Sequence, residues 1–158
     1  MSVRADAETL RQIPIFADCD PLHLQLLAFA SERQNFVSGE TIIRQGVKAV
    51  SAFLLLSGSA DIQQSNGAKV QSIAKAEPGT FLGEVAMIGK TSYAITAVAL
   101  GSVLTARIDH HLFLRVATEY PEFGQKVFNA LARRLGGSVG EFNDARGHFL
   151  RAKSFLDL

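Results

Sequence analysis

The spacing of apolar residues changes twice along the chain. Over residues 7–30 apolar positions recur at steps of three and four. From residue 32 to residue 108 they alternate, or gather in short blocks separated by glycine. From residue 109 onward the longer step returns. A step near 3.6 marks one face of a helix, and a step of two marks one face of a strand. The pattern therefore predicts helices, a strand-rich middle, and helices again.

Residues 7–13 read as a short helix stopped by Pro14. Asp20-Pro21 is an N-cap followed by proline at the first helical position. In the helix it opens, Leu22, Leu26, Leu27 and Ala30, with Phe29 beside them, form a stripe expected to lie against the core. In the middle region, strands are predicted over 41–46, 52–56, 60–63, 70–73, 94–98 and 103–108. Turns fall at Ser38-Gly39-Glu40, Ser57-Gly58-Ser59, Ser65-Asn66-Gly67 and Glu77-Pro78-Gly79, with a hinge at Gly101-Ser102. Many short strands joined by glycine turns argue for a small antiparallel barrel or sandwich of jelly-roll type. Together with the flanking helices this is an α+β fold. We read one domain over 1–158: N-terminal helices (1–30), the β-region (31–108) and C-terminal helices (109–158).

Beyond residue 108, Asp109 caps a helix running to residue 118. Tyr120-Pro121-Glu122 breaks it and starts another, with Phe123, Val127, Phe128, Leu131 and Leu135 apolar. Gly136-Gly137 reads as a hinge before a last helix over 138–153. There Val139, Phe142, Phe149 and Leu156 step close to a heptad. That seam suits pairing with a second copy, or folding back on the barrel. Gly140 and Gly147 weaken it.

One stretch breaks the strand pattern. Gly79-Thr80-Phe81-Leu82 reads as the end of a strand, Gly83 as a tight backbone, and residues 84–88 as a single helical turn. The free N–H groups of such a turn favour negative charge. Glu84 at its start suits the dipole but repels a simple anion. A sugar phosphate, which brings hydroxyl donors as well as charge, satisfies both.

Composition narrows the function classes. Sixteen Lys and Arg against fifteen Asp and Glu give a formal charge of +1, which argues against a broad nucleic-acid footprint. No apolar run approaches the roughly 18–20 residues that span a bilayer, and the N-terminus does not read as a signal peptide. The expectation is a cytoplasmic protein. Cys19, between Asp18 and Asp20, is the single cysteine, and its acidic neighbours disfavour the thiolate. His23, His110, His111 and His148 lack zinc-ligand spacing. With no nucleophile–base pair and no P-loop, neither an enzyme nor a metal or cofactor is expected.

The motifs Ser38-Gly39-Glu40, Arg44-Gln45-Gly46, Phe53-Leu54-Leu55-Leu56-Ser57-Gly58, Pro78-Gly79 and Phe81-Leu82-Gly83-Glu84-Val85-Ala86-Met87-Ile88 follow in this order. From about Ile13 to Phe149 the chain resembles the cyclic nucleotide-binding domain of catabolite activator proteins, cAMP-dependent kinase regulatory subunits and cyclic nucleotide-gated channels. The resemblance implies an eight-stranded antiparallel β-roll with N-terminal helices, a phosphate-binding cassette at the helical turn, and C-terminal helices. It implies cAMP, more than cGMP, as ligand. Glu84 would accept from the ribose 2′-hydroxyl, and Gly83, Val85, Ala86 and Ala94 would offer backbone N–H groups. Phe142, Asn143, Arg146 and Phe149 are candidates for contacting the base.

The cassette departs from the family at one place. Where the family carries Pro-Arg before Ala-Ala-Thr, this chain carries Ser92-Tyr93 before Ala94-Ile95-Thr96. A guanidinium makes a bidentate, charge-assisted contact to phosphate, whereas a phenol offers one neutral donor. The Ser92 and Tyr93 hydroxyls are partial substitutes, and Lys90 and Arg107 are the nearest cations in sequence. Two readings follow: a regulatory module that passes cyclic nucleotide binding to its C-terminal helices, or a degenerate domain serving as a dimerisation or protein scaffold. No helix-turn-helix fits after Lys153, so a DNA-binding role is not expected. The downstream partner is not readable from the sequence.

Overall fold

The computed structural model describes residues 2–135. The last predicted helix, its heptad seam and the base-contact candidates lie outside the described residues. Helix α1 (Val3–Arg11) starts earlier than its apolar pattern suggests, because the Ser2 hydroxyl accepts from Ala5 N at 3.1 Å and caps it. A 3-10 turn, Pro14–Phe16, follows, and then α2 (Pro21–Ala30), capped by Asp20 as predicted. The buried face of α2 is not the expected stripe. His23, Leu24, Leu27 and Ala28 point inward, while Leu22 and Phe29 stay exposed. The helix is apolar almost all round, so its own spacing cannot select a face. Its contacts with α1, with the strand Val103–Asp109 and with the helix His110–Glu119 do so.

Eight strands form two four-stranded antiparallel sheets. The strands are β1 (Glu32–Phe36), β2 (Thr41–Ile43), β3 (Ser51–Ser57), β4 (Ala60–Ser65), β5 (Val70–Ala76), β6 (Phe81–Leu82), β7 (Thr96–Ala99) and β8 (Val103–Asp109). One sheet runs β1-β8-β3-β6, the other β2-β7-β4-β5. Strand β7 starts two residues later than the alternation suggests. Tyr93 is tied to the loop after β2 (Tyr93 N to Val47 O, 3.0 Å; Gly46 N to Tyr93 O, 2.9 Å), and Ala94 and Ile95 bridge from that tie to the sheet. Between β6 and β7 lies α3 (Glu84–Gly89). After β8 come α4 (His110–Glu119) and α5 (Pro121–Leu135).

The core has two halves, and β3 divides them. Phe53 and Leu55 face the interior of the roll with Phe36, Ile43, Ile62, Leu82, Ala86 and Tyr93. Ala52 and Leu54 face the helices. Burial on both faces explains why this strand reads as an apolar run rather than an alternation. On the helical side a chain of aromatic contacts crosses the molecule. Phe16 lies 5.7 Å from Phe81 of β6 and 6.1 Å from Phe123 of α5, and Phe113 of α4 lies 5.7 Å from Phe123. Helix α5 is thus packed, through one intervening ring, onto the strand that leads into the helical turn.

Cys19 is buried, and its thiol is pushed up to about 11. Burial is the main cause. Lys126 opposes it, and Asp18 contributes least, so the acidic neighbour is a minor influence. No helix among the described residues is long and apolar enough to cross a membrane.

Candidate functional site

The helical turn is built by backbone constraints on either side of it. Leu55 N donates to Thr80 O at 2.9 Å and Gly79 N to Leu55 O at 2.8 Å, fixing the approach. Phe81 and Leu82 then pair with Leu54 and Phe53. Gly83 turns the chain with φ at +79°, a left-handed conformation that disfavours side chains. Space also demands glycine: a Cβ at this position would stand 2.6 Å from Cε1 of Tyr93. Helix α3 starts at once, and Met87 N to Gly83 O (2.9 Å) closes its first turn. The N–H groups at the start of such a turn have no partner within the helix.

These residues border a cavity of about 390 Å³, walled by Ile43 and Ile62 from the roll, Ala74 and Ala76 from β5, the α3 turn, and Arg134 from α5. That volume is in the range of small-ligand sites. Of the site residues predicted from sequence, Gly83, Glu84, Val85, Ala86, Tyr93 and Ala94 line it. Ser92 does not. It is exposed and forms an isolated bridge with Lys48.

Glu84 is the buried charge at this site, 6 % exposed. Its Oε1 forms an ion pair with the Arg134 guanidinium. Among the described residues, its Oε2 is buried without a hydrogen-bond partner. A carboxylate held this far from water needs a cation, and Arg134 arrives from α5, fifty positions along the chain. A second, larger cavity of about 550 Å³ lies on the other side of this pair, between Pro14, Ala130 and Arg133. Thr80, Phe81, Glu84 and Arg134 border both cavities, so the ion pair stands at the boundary.

The Tyr93 hydroxyl, offered by the sequence as a partial substitute for an arginine, has a partner of its own in the structure. The phenol is buried and donates to the Ser51 carbonyl at 2.5 Å. Burial raises its pKa above the usual tyrosine value, against smaller opposite effects from the Ser51 bond and the Arg107 charge, so it stays a neutral donor. The ring fills the space under Gly83. Arg107, one of the two cations nearest in sequence, is also committed elsewhere. Its Nε donates to Ser51 Oγ at 2.8 Å and its guanidinium pairs with Glu32 at 3.5 Å. It borders a separate cavity on the far side of Tyr93. Lys90 ends α3 with φ at +53° and does not line the 390 Å³ cavity. Among the described residues, the cations that do are Lys75 and Arg134. Lys75 is well exposed and pairs with Glu77 at 3.5 Å.

Sequence reasoning missed Arg134. It stands in the polar last turn of an amphipathic helix, where a basic residue is ordinary. No local signal marks it.

Residues 33–120 match the family described as Cyclic nucleotide-binding domain. The cAMP-dependent protein kinase regulatory subunit of Colletotrichum orbiculare is 32 % identical over 107 residues, which is 68 % of this chain and 27 % of that protein. The chain thus spans about a quarter of the length of this relative. Among solved structures, a cyclic nucleotide-binding-like protein from Brucella abortus is 29 % identical with a TM-score of 0.65, covering 71 % of this chain and 97 % of that one. The regulatory domain of Toxoplasma gondii PKA, co-crystallised with cAMP, has a TM-score of 0.69 at 22 % identity, covering 84 % and 49 % respectively. At that identity the likeness is one of fold.

Proposed function

Because the chain belongs to the cyclic nucleotide-binding domain family, we propose that it is a regulatory module that binds cAMP in the 390 Å³ cavity and passes the event to its C-terminal helices. The observation that carries this reading is Glu84. A buried carboxylate with one oxygen paired and the other unpartnered is costly unless a donor arrives. A ribose 2′-hydroxyl is such a donor. The apolar walls from Ile43, Ile62, Val85 and Ile95 suit the base and sugar faces. The preference for cAMP over cGMP rests on the kinase regulatory relative named above.

Transmission is supported by two links between the site and α5: the Glu84–Arg134 pair, and the aromatic path from Phe81 through Phe16 to Phe123. A ligand that hydrogen-bonds Glu84 bears on the first, and any shift of β6 moves the second. The competing reading, a scaffold that binds no nucleotide, draws its support from Tyr93. Its ring and hydroxyl serve the fold at the position where the resemblance implies a phosphate-binding arginine.

Amide hydrogen exchange with and without millimolar cAMP tests the proposal. We expect slowed exchange in residues 83–89 and in α5. Protection at neither segment contradicts ligand binding. Protection of 83–89 with α5 unchanged contradicts transmission.

A further inference from the structure

We propose that Arg134 supplies the cation that meets the ligand's phosphate, taking the part that position 93 cannot play in this chain. The inference rests on the nucleotide-binding reading above and concerns which residue compensates the anion. Three observations carry it. The Tyr93 hydroxyl is engaged by the Ser51 carbonyl. Arg107 is held by Ser51 Oγ and Glu32, away from the cavity. Arg134 lines the cavity, pairs with a single oxygen of Glu84, and is half-exposed, so its guanidinium is neither enclosed nor fully used.

The charge balance sets the requirement. An anion entering this cavity comes up against the buried Glu84 carboxylate, and like charges at such short range repel strongly. The guanidinium has five N–H donors in a fixed fork, so it can hold a carboxylate on one edge and a phosphate on another. Without ligand, Arg134 neutralises Glu84. With ligand, it keeps that contact and adds one to the phosphate. The 2′-hydroxyl then takes the unpartnered Oε2. Because Arg134 belongs to α5, the phosphate would be read directly by the helix that responds. A chain with its arginine on the strand after the turn reads the phosphate from within the roll.

The test compares cAMP with adenosine, which keeps the base and the 2′-hydroxyl and lacks the phosphate. The wild-type chain should bind cAMP more tightly than adenosine. Arg134→Gln should weaken cAMP at least tenfold and leave adenosine within about threefold. Arg134→Lys should recover part of the loss, since a compact ammonium keeps the charge without the fork. Arg133→Gln removes the same charge one position away, from a side chain paired with Asp18 at 3.1 Å, and should leave both ligands within about threefold. A circular dichroism spectrum and melt matching the wild type establish that each variant is folded. In the Glu84→Gln background, where no carboxylate is left to neutralise, Arg134→Gln should still weaken cAMP at least tenfold; equal cAMP affinity with and without Arg134 in that background would make Arg134 a support for Glu84 only and overturn the inference. Unchanged or tighter cAMP binding in Arg134→Gln alone would overturn it as well. Wild-type chain that binds neither ligand defeats the nucleotide-binding reading itself, a separate outcome.

Discussion

Gly83 is where a single residue governs the site. It needs a positive φ, and it needs no side chain, because the Tyr93 ring occupies the space a Cβ would take. The two demands add. Gly83→Ala should cost about 2–3 kcal/mol of unfolding free energy, from left-handed strain and a clash with a buried ring. Tyr93→Ala in the same chain removes the clash and leaves the strain. Denaturant melts of the four chains should therefore show a favourable coupling of about 1 kcal/mol between the substitutions. Strict additivity would mean that the ring moves aside freely. The same pair of residues shows what the sequence could and could not tell. The Gly83-Glu84 signature was readable, because glycine at a sharp turn and an acid at a helix start are local chemistry. The orientation of Tyr93 was not. Its partner, Ser51, is 42 positions away, and nothing near position 93 says whether a phenol faces the ligand or the opposite wall.

At the scale of elements, the strands and caps were legible wherever one residue type answers one local need. Asp109 is an example. Its carboxylate accepts from Leu112 N at 2.7 Å and starts α4 where the sequence placed it. Asp109→Ala should destabilise the fold by about 1 kcal/mol, and a smaller shift in chemical denaturation would mean that α4 is held by packing alone. The buried face of α2 was not legible, because Leu22, Leu26 and Phe29 are as apolar as the residues that turn inward. The late start of β7 was hidden as well, since the alternation across residues 94–98 begins directly after Tyr93, whose backbone bonds go to the loop after β2, and nothing local marks where sheet pairing starts. Gln45 explains part of one motif: its amide bonds both backbone groups of Ser65, at 3.0 and 2.8 Å, and ties the end of β2 to the β4 hairpin. The glycine-punctuated order of motifs carried the family resemblance because each turn does a job of this kind.

At the scale of the molecule, the fold brings one cation from its last described helix to the one buried carboxylate of its helical turn. That contact is invisible in the sequence, and it changes the balance of the site. An unpaired Glu84 would repel a phosphate about 5 Å away by roughly 3 kcal/mol at an effective dielectric of about 20. Paired with Arg134, it becomes an acceptor with its charge met. On the proposed reading, a roll's ligand site is completed by a helix outside the roll, the arrangement needed if ligand and helix position are to be linked. On the reading proposed above, Glu84 and its cavity receive a cyclic nucleotide. Calorimetric titration of the wild-type chain and of Glu84→Ala with cAMP tests it most directly. We predict saturable heat for the wild type and affinity lower by about ten- to a hundredfold for Glu84→Ala, the value of a charged hydrogen bond. No heat with the wild type at millimolar cAMP, or equal affinity in the two chains, would contradict it.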